Sequence, residues 1–201
     1  MTFSEQSVAA FLADVASERV TPSGGAVAAI AGASGAALCE MSCRHTLGKD
    51  GYDDVEAELT DVGEDLAARR NRLLALADED SAAVERVGEA FDSTADGSGE
   101  RRAALQRATE VPLETADACL AVLERATVVV GECNRNALAD AVTGAFLAHA
   151  ALRASLYTVR TNLELVDDGT FVSETAEQVD DIERGGDVAF ERIRDEFGDG
   201  N

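Results

Sequence analysis

Apolar residues recur every three or four positions along most of the chain, which is the spacing of one face of an α-helix. No segment of useful length alternates apolar and polar residues as a half-buried strand does. The predicted helices span residues 2–17, 25–47, 53–91, 100–131, 136–166 and 173–197. Since no internal repeat or long linker divides the chain, we expect one domain over residues 1–201. Its fold class is all-α, an up-and-down bundle of five or six long helices.

The second predicted helix differs from the others because it has no charged residue before Glu40. A helix that is apolar on all sides is normally buried, so this one is expected at the centre of the bundle. Its many Gly and Ala residues let neighbouring helices approach closely. Gly48 is expected to end it.

Local signals predict where other elements begin, bend and end. Thr2 and Glu5 have the spacing of a capping box, which places the start of the first helix there. Pro112 lies inside the fourth predicted helix and is expected to kink it, because proline removes a backbone hydrogen bond. Residues 92–99 are predicted to form a loop and residues 198–201 a frayed end.

The chain is strongly acidic, with 39 Asp and Glu against 17 Lys and Arg and a formal net charge of −22. Salt screens the resulting self-repulsion, so we interpret the charge as halophilic adaptation of a soluble, cytoplasmic protein. Binding to nucleic acid is disfavoured because it requires cationic patches. A nucleic-acid mimic is the alternative, but the acids are spread along helices rather than grouped in blocks. We predict no membrane span, since the most apolar stretch, residues 24–39, is short, and no signal peptide is seen.

Four cysteines do not have the spacing of a metal or disulfide framework. They are Cys39, Cys43, Cys119 and Cys133, and the chain has only two histidines. We expect reduced thiols that fill small gaps between helices, and no metal site.

Three segments have residues suited to chemistry. The turn containing Pro22, Ser23, Gly24 and Gly25 precedes the apolar helix, where free N–H groups favour an anion and glycines admit a flat ligand. Taken alone, the pattern is a weak signal and favours an ordinary turn entering a helix.

The other two segments are similarly open in interpretation. Asp140, with Asn134 just before it, is a carboxylate near the start of a mainly apolar helix, and it either acts in a site or compensates the helix dipole. Lys49 is the only lysine, and it either holds a carboxylate or is a cation at a helix C-terminus. Arg44 is a weaker candidate for the same carboxylate.

In this order, these segments resemble the cyclodeaminase/cyclohydrolase family, which includes the C-terminal domain of formiminotransferase-cyclodeaminase and stand-alone methenyltetrahydrofolate cyclohydrolases. Each motif is modest alone, but the ordered set spans nearly the whole chain. The matching residues are Thr21–Ala29, Met41, Thr46–Lys49, Asp80, Val111–Pro112, Asn134, Ala139–Asp140, Asn162–Leu163 and Asp167.

The resemblance implies a homodimer that binds folate in a cleft at or near the subunit interface. It implies Asp140 as the catalytic residue. The substrate-binding residues it implies are Pro22, Ser23, Gly24, Gly25, Lys49, Asn134 and Asn162. We expect Lys49 to hold a carboxylate of the folate tail, and Gly24 and Asp140 to meet in a common cavity, within one subunit or across a symmetric pair.

Three residues depart from the family pattern. Ser23 stands where a glycine is usual, Ala26 where a serine is usual, and Thr158 where asparagine is frequent. These changes bear on substrate and activity more than on the fold.

The expected activity is hydrolysis of 5,10-methenyltetrahydrofolate to 10-formyltetrahydrofolate, with no metal or redox cofactor. The alternative reaction is formiminotetrahydrofolate cyclodeamination, an ammonia lyase step that forms 5,10-methenyltetrahydrofolate. An alternative of another class is a folate-binding or helical scaffold dimer without catalysis.

Overall fold

The structure, a computed structural model, describes residues 2–92 and 98–198, with side chains as far as Glu196. It contains six α-helices in this part of the chain, and the predicted all-α bundle is confirmed. Helices α2 to α5 pack side by side, and α6 packs against α4 and α5. The helices are α1 (Val8–Val15), α2 (Gly24–Thr46), α3 (Glu56–Asp92), α4 (Ser98–Glu132), α5 (Leu138–Leu163) and α6 (Gly169–Gly198).

The prediction of one first helix from Thr2 was wrong. The Thr2–Glu5 capping box is present, but it closes only a three-residue 3₁₀ turn, Phe3–Glu5. The backbone then extends at Gln6, and Ser7 caps the separate helix α1 by accepting a hydrogen bond from the Ala10 N–H. Two competing caps close together in sequence therefore divide the segment.

Helix α2 is the central helix, as its lack of charge predicted. It packs against α3 on one side and α5 on the other. By length and composition α2 could cross a membrane, but 61% of its most apolar window is buried inside the bundle. Gly48, with φ of 71°, follows its C-terminus as predicted.

In the centre of the bundle, α2 and α5 are in close contact through glycine. A Cβ added to Gly35 would lie 2.6 Å from the carbonyl oxygen of Gly144, and one added to Gly144 would lie 2.7 Å from that of Gly35. The Sγ of Cys39 donates to the carbonyl of Ala141 one turn further along. These contacts also show that α2 and α5 run antiparallel.

The core is built largely from aliphatic residues and thiols. The predicted apolar face of α3 is buried, namely Leu59, Val62, Leu66, Leu73 and Leu76. All four cysteines are reduced and buried, as expected. Desolvation raises the pKa of Cys39 and Cys119 to about 12, so these thiols remain protonated and act as packing groups.

Helix α4 continues through Pro112 as one element. Its predicted preceding loop, residues 92–99, lies mostly outside the described residues, as does the predicted frayed end from residue 199.

We predict opposite effects on stability for two glycine substitutions. Gly35→Ala forces a methyl group into the Gly144 backbone and should lower the free energy of unfolding by about 1–3 kcal/mol. Gly88→Ala, on the exposed side of α3 with open space around it, should raise it by about 0.5–1 kcal/mol. Thermal unfolding in the same salt measures both, and a neutral Gly35→Ala would contradict the close contact.

Candidate active site

The predicted site residues lie at two opposite ends of α2. We call Thr21–Ala26 together with Asp80 the Gly24 end, and His45–Lys49 together with Asn134–Asp140 the Lys49 end. Ser42 donates to the carbonyl of Ala137, so Asp140 lies beside the C-terminal part of α2. At 1.5 Å per residue, Gly24 and the level of Asp140 are about 24 Å apart along the axis. Within one chain, the expected common cavity is therefore absent from the described structure.

The Gly24 end is organised around the carboxylate of Asp80, on α3. Its Oδ2 accepts hydrogen bonds from the Ser23 hydroxyl at 2.7 Å and from the Ala26 N–H at 2.9 Å. Asp80 therefore caps the start of α2 from the neighbouring helix α3. The side chain of Ser23, the N-cap residue, makes no capping hydrogen bond itself. The sequence predicted that N–H groups at the start of α2 favour an anion. At the Ala26 N–H, that anion is the Asp80 carboxylate of the protein itself.

The two glycines of the turn have different surroundings. A Cβ on Gly25 would lie 2.1 Å from Asp80 Oδ1, so only glycine admits the carboxylate. Gly24 is exposed, and a Cβ added there would have no neighbour within 4 Å, which leaves room for a ligand against the backbone. The expectation of open backbone thus applies to Gly24, while Gly25 serves the packing of Asp80.

Asp80 was not among the predicted site residues, although it belongs to the motif that carried the family resemblance. It is only 5% exposed, and burial raises the pKa of its carboxyl group. The helical spacing of the sequence could have indicated that Asp80 is buried. It falls on the same face of α3 as Leu73, Leu76 and Ala77, which are buried.

A cleft of about 350 Å³ lies on the outer side of the same turn. Thr21, Pro22, Ser81 and Glu85 line it together with the N-terminal segment. Thr21 donates to Glu85 at 3.0 Å across this cleft, which fixes the turn from its outer side.

At the Lys49 end, Asn134 joins the α4–α5 connection to the end of α2. Its Nδ2 donates to the carbonyl of His45 at 2.7 Å, and its Oδ1 accepts from the Asn136 N–H at 3.0 Å. Its backbone N–H donates to Thr46 Oγ1 at 2.9 Å. Asn134 is buried, so the geometry supports a structural role more directly than the predicted contact with substrate.

Lys49 and Asp140 share a small cavity of about 100 Å³ with His45, Asn134 and Asn136. The structure thus brings together three predicted site residues, Lys49, Asn134 and Asp140. Asp140 is exposed in the single chain, although it begins a mainly apolar helix. Lys49 is also exposed, and no ion pair to it is found within residues 2–92 and 98–198. Its flexible side chain is therefore available to a ligand.

Asn162, predicted to bind substrate, lies at the C-terminal end of α5, near the Gly24 end of the bundle. Its Nδ2 donates to the carbonyl of Ala108 at 2.7 Å. Ala108 is four residues before Pro112, so it is this carbonyl that proline leaves without its helical N–H donor. Asn162 therefore replaces the backbone hydrogen bond that Pro112 removes, and this contact gives it a structural role.

In the described part of the chain, no group of three His, Cys, Asp or Glu side chains is arranged to hold a metal ion. The functional groups at the two ends are carboxylates, amides, hydroxyls, the His45 imidazole, the Arg135 guanidinium, the Lys49 ammonium group and backbone N–H donors.

The sequence model of formiminotransferase-cyclodeaminase matches residues 7–181 of this chain. The chain belongs to this family. The resemblance inferred from the ordered motifs is thereby confirmed, and it covers the bundle from α1 into α6.

Relatives of known activity cover the chain at comparable identity. Methenyltetrahydrofolate cyclohydrolase of Methylorubrum extorquens is 33% identical over 195 residues, which is 94% of each chain. Formimidoyltransferase-cyclodeaminase of Gallus gallus is 29% identical over 177 residues, 85% of this chain but 33% of that longer protein. The crystal structure of formiminotetrahydrofolate cyclodeaminase from Thermotoga maritima superposes with a TM-score of 0.92, at 30% identity and covering 96% of both chains.

We predict that Asn162 and Pro112 are energetically coupled. Asn162→Ala should lower the free energy of unfolding by about 1–3 kcal/mol, because the Ala108 carbonyl loses its donor. In a Pro112→Ala background the same substitution should cost much less, because residue 112 then has an N–H that can bond to Ala108. Urea unfolding of the four proteins of this double-mutant cycle measures the coupling. Equal costs in both backgrounds would contradict the structural role of Asn162.

Proposed function

We propose that this protein hydrolyses 5,10-methenyltetrahydrofolate to 10-formyltetrahydrofolate. The observation that carries the proposal is the full-length similarity to a methenyltetrahydrofolate cyclohydrolase, 33% identity over 94% of both chains. The match covers 94% of that relative, which supports the same activity for the matched region of this chain. We place the enzyme in the cytoplasm, in line with its expected solubility.

We further propose that the enzyme is a homodimer that pairs through the outer faces of α2 and α5. Neither helix has a charged residue over residues 24–39 or 141–152, although the chain as a whole has a net charge of −22. The outer positions of α2 are small or apolar and are left exposed or half-buried: Val27, Ala31, Ser34, Leu38 and Met41. Those of α5 have the same character: Thr143, Leu147, Ala150 and Ala154. An uncharged face on so acidic a protein is suited to a second copy of the same chain.

Two-fold symmetry then brings the two ends of α2 together. When two copies of one helix pack across a perpendicular two-fold axis that passes near the helix midpoint, they run antiparallel and opposite ends meet. The midpoint of α2 is near Gly35, so the Gly24 end of one subunit faces the Lys49 end of its partner. Each dimer would thus have two equal composite sites, which supports the expected meeting of Gly24 and Asp140 across the interface.

Cavity size supports the same arrangement. Pockets that enclose a ligand the size of a pterin are typically about 300–1,000 Å³. The cavity at Lys49 and Asp140 is about 100 Å³, so in one subunit it is only part of a ligand site. A partner's Gly24 end would add the missing wall.

The proposed reaction needs one water molecule and a group that accepts and returns a proton. The water oxygen bonds to the cationic carbon bridging N5 and N10, its proton passes to Asp140, and the C=N electron pair returns to nitrogen. The hydroxyl proton of the tetrahedral intermediate then leaves to solvent, the carbonyl forms and the C–N5 bond breaks. N5 takes the proton from Asp140, so one water is consumed and one proton is released overall.

The other residues would bind the substrate. Gly24 and the Pro22–Ser23 turn offer a flat surface to the pterin, and Lys49 reaches a carboxylate of the tail. Asn134 and Asn162 would act indirectly, by holding the two ends of the bundle in place. The steps use side chains and water, without a redox group or metal.

Formiminotetrahydrofolate cyclodeamination is the second candidate activity. The observation in its favour is the Thermotoga maritima cyclodeaminase, which has the same fold over 96% of both chains. Both reactions pass through a tetrahedral carbon between two nitrogens, so the same carboxylate could serve either.

We predict that the purified protein, at about 1 M salt or more, hydrolyses methenyltetrahydrofolate faster than it cyclises formiminotetrahydrofolate. Loss of the methenyl chromophore and release of ammonia measure the two reactions separately. Ammonia release alone would replace the first activity by the second. Folate binding without either reaction would support a non-catalytic binding protein, and absence of binding would leave only a helical scaffold.

We predict intersubunit complementation between two inactive variants. Gly24→Leu should fill the open space at one end, and Asp140→Asn should remove the base at the other and lower turnover at least about 100-fold. A coexpressed dimer of one Gly24→Leu and one Asp140→Asn subunit has one site with both ends intact. An equal mixture should therefore regain about one quarter of the wild-type activity, since half of the dimers are mixed and each has one good site.

The matched control is a single chain bearing both substitutions coexpressed with either variant, which assembles no intact site. Size-exclusion chromatography checks that every variant remains dimeric. Independent activity of each subunit, with no gain on mixing, would contradict the composite site.

A further inference from the structure

The proposed hydrolysis moves two protons, both of which come from the attacking water. Asp140 accepts the first and returns it to N5, while the second leaves the hydroxyl group of the tetrahedral intermediate. Because water is a weak base, a side chain that accepts this second proton would accelerate the step by about 10²–10⁴-fold. The reaction therefore calls for a second base beside Asp140.

The cavity that contains Asp140 has one such base among its lining residues. Three of the six lining residues are titratable, namely His45, Lys49 and Asp140 itself. A lysine ammonium group is ordinarily protonated at neutral pH and has no lone pair that could accept a proton. Imidazole both gains and loses a proton near neutral pH, which leaves His45 as the base.

The position of His45 suits transfer of a proton between the cavity and bulk water. It lies in the last turn of α2, and its side chain is exposed. Its backbone carbonyl accepts from Asn134 Nδ2 at 2.7 Å, which fixes the residue beside the cavity. Within residues 2–92 and 98–198 the imidazole forms no hydrogen bond or ion pair. Both ring nitrogens are therefore free for a ligand or for water.

Charged groups of the adjoining elements act on His45 in opposite directions. The C-terminus of α2 and the carboxylate of Asp140, at the start of α5, favour an imidazolium. Lys49 after α2 and Arg135 in the α4–α5 connection disfavour it. Arg44, on the same turn as His45, is already paired with an acid of α2. This balance suits a group that must accept and release a proton in every turnover.

The other histidine of the chain has a structural environment. His149 stacks on Phe190 of α6 with ring centroids 4.1 Å apart, and its Nε2 lies 3.4 Å from Asp187. These contacts join α5 to α6, and His149 does not line the cavity of Asp140. His149 is therefore a matched control for His45.

We propose that His45 accepts the second proton of the hydrolysis and delivers it to solvent. This inference rests on the proposed function, which supplies the tetrahedral intermediate. The O–H bond of the intermediate breaks, its proton passes to a ring nitrogen of His45, and its electron pair forms the carbonyl. The C–N5 electron pair goes to N5, which takes the proton held by Asp140. The imidazolium then loses its proton to water, so one water is consumed and one proton is released.

The inference is tested by removing the imidazole and supplying it again from solution. His45→Ala should lower kcat for the methenyl substrate at least about tenfold, because water must then accept the second proton. Free imidazole should restore much of the lost rate after subtraction of the uncatalysed reaction in the same buffer. Among methylated imidazoles the restored rate should rise with basicity. The wild-type rate should not respond to any of them.

His149→Ala is the control, because it makes the same substitution at the other histidine. Its kcat should remain within about twofold of wild type and should not respond to imidazole. Circular dichroism and size-exclusion chromatography check the fold and assembly of both variants. A normal kcat in His45→Ala would overturn the inference. So would a low kcat that imidazole does not raise, since a free base does not repair a structural defect.

Histidine NMR of the wild-type protein gives a second readout that does not depend on the folding of His45→Ala. The chain has only two histidines, so their ring signals are readily assigned. Binding of tetrahydrofolate, which has no bridging carbon to hydrolyse, should shift the ring signals of His45 and leave those of His149 in place. Unmoved His45 signals with this folate bound would overturn the inference.

Failure of the inference and failure of the proposed function give different results. A wild-type protein that hydrolyses the methenyl substrate, with no rescue of His45→Ala by imidazole, retains the proposed function and loses the inference. A wild-type protein that hydrolyses nothing, but whose His45 signals respond to tetrahydrofolate, contradicts the proposed function and supports the position of His45 beside the ligand.

Discussion

Helices α2 and α5 touch through their backbones at Gly35 and Gly144, and the other features depend on this contact. It fixes two apolar helices side by side and antiparallel, so that their uncharged outer faces form one surface. It also sets the register, which puts the start of α5 beside the end of α2. The two groups of polar residues are consequently separated by most of the length of α2. In the proposed dimer, each of these two groups is one half of a composite site.

The distribution of charge follows the same plan. With 17 Lys and Arg against 39 Asp and Glu, cations are scarce, and several of them link helices across the bundle. Arg72 and Arg107 join α3 to α4 through Glu79 and Glu114, and Arg70 compensates the buried Glu40. Such linked pairs are screened by salt, but the self-repulsion of the whole chain is screened as well. Within the described residues, Asp80 is a buried acid with no cation paired to it, and Lys49 is one of several exposed cations with no acid paired to them.

The helices could be predicted from sequence because burial follows periodicity, as Leu59 through Leu76 on α3 illustrate. The first helix could not, because two valid caps at Thr2 and Ser7 compete and only tertiary packing decides between them. The roles of the site residues were harder to predict, because the sequence does not show whether an amide or carboxylate side chain binds a ligand or another part of the protein. Asn162 proved to satisfy a carbonyl released by Pro112, distant from it in sequence, and Asp80 was hidden among neighbouring acids.

In the proposed dimer, symmetry turns the separation of the two ends into a reason for association. A two-fold axis near the middle of α2 pairs each position with one equally far on the other side, so opposite ends meet without any additional domain. Two chains of charge −22 repel each other, and only an uncharged face allows them to approach. The proposed dimer would thus couple solvent salt, subunit association and completion of the site through α2. The same helix that needs glycine at position 35 to pack in the core would, in the proposed dimer, need small, uncharged residues on its other side to assemble the site.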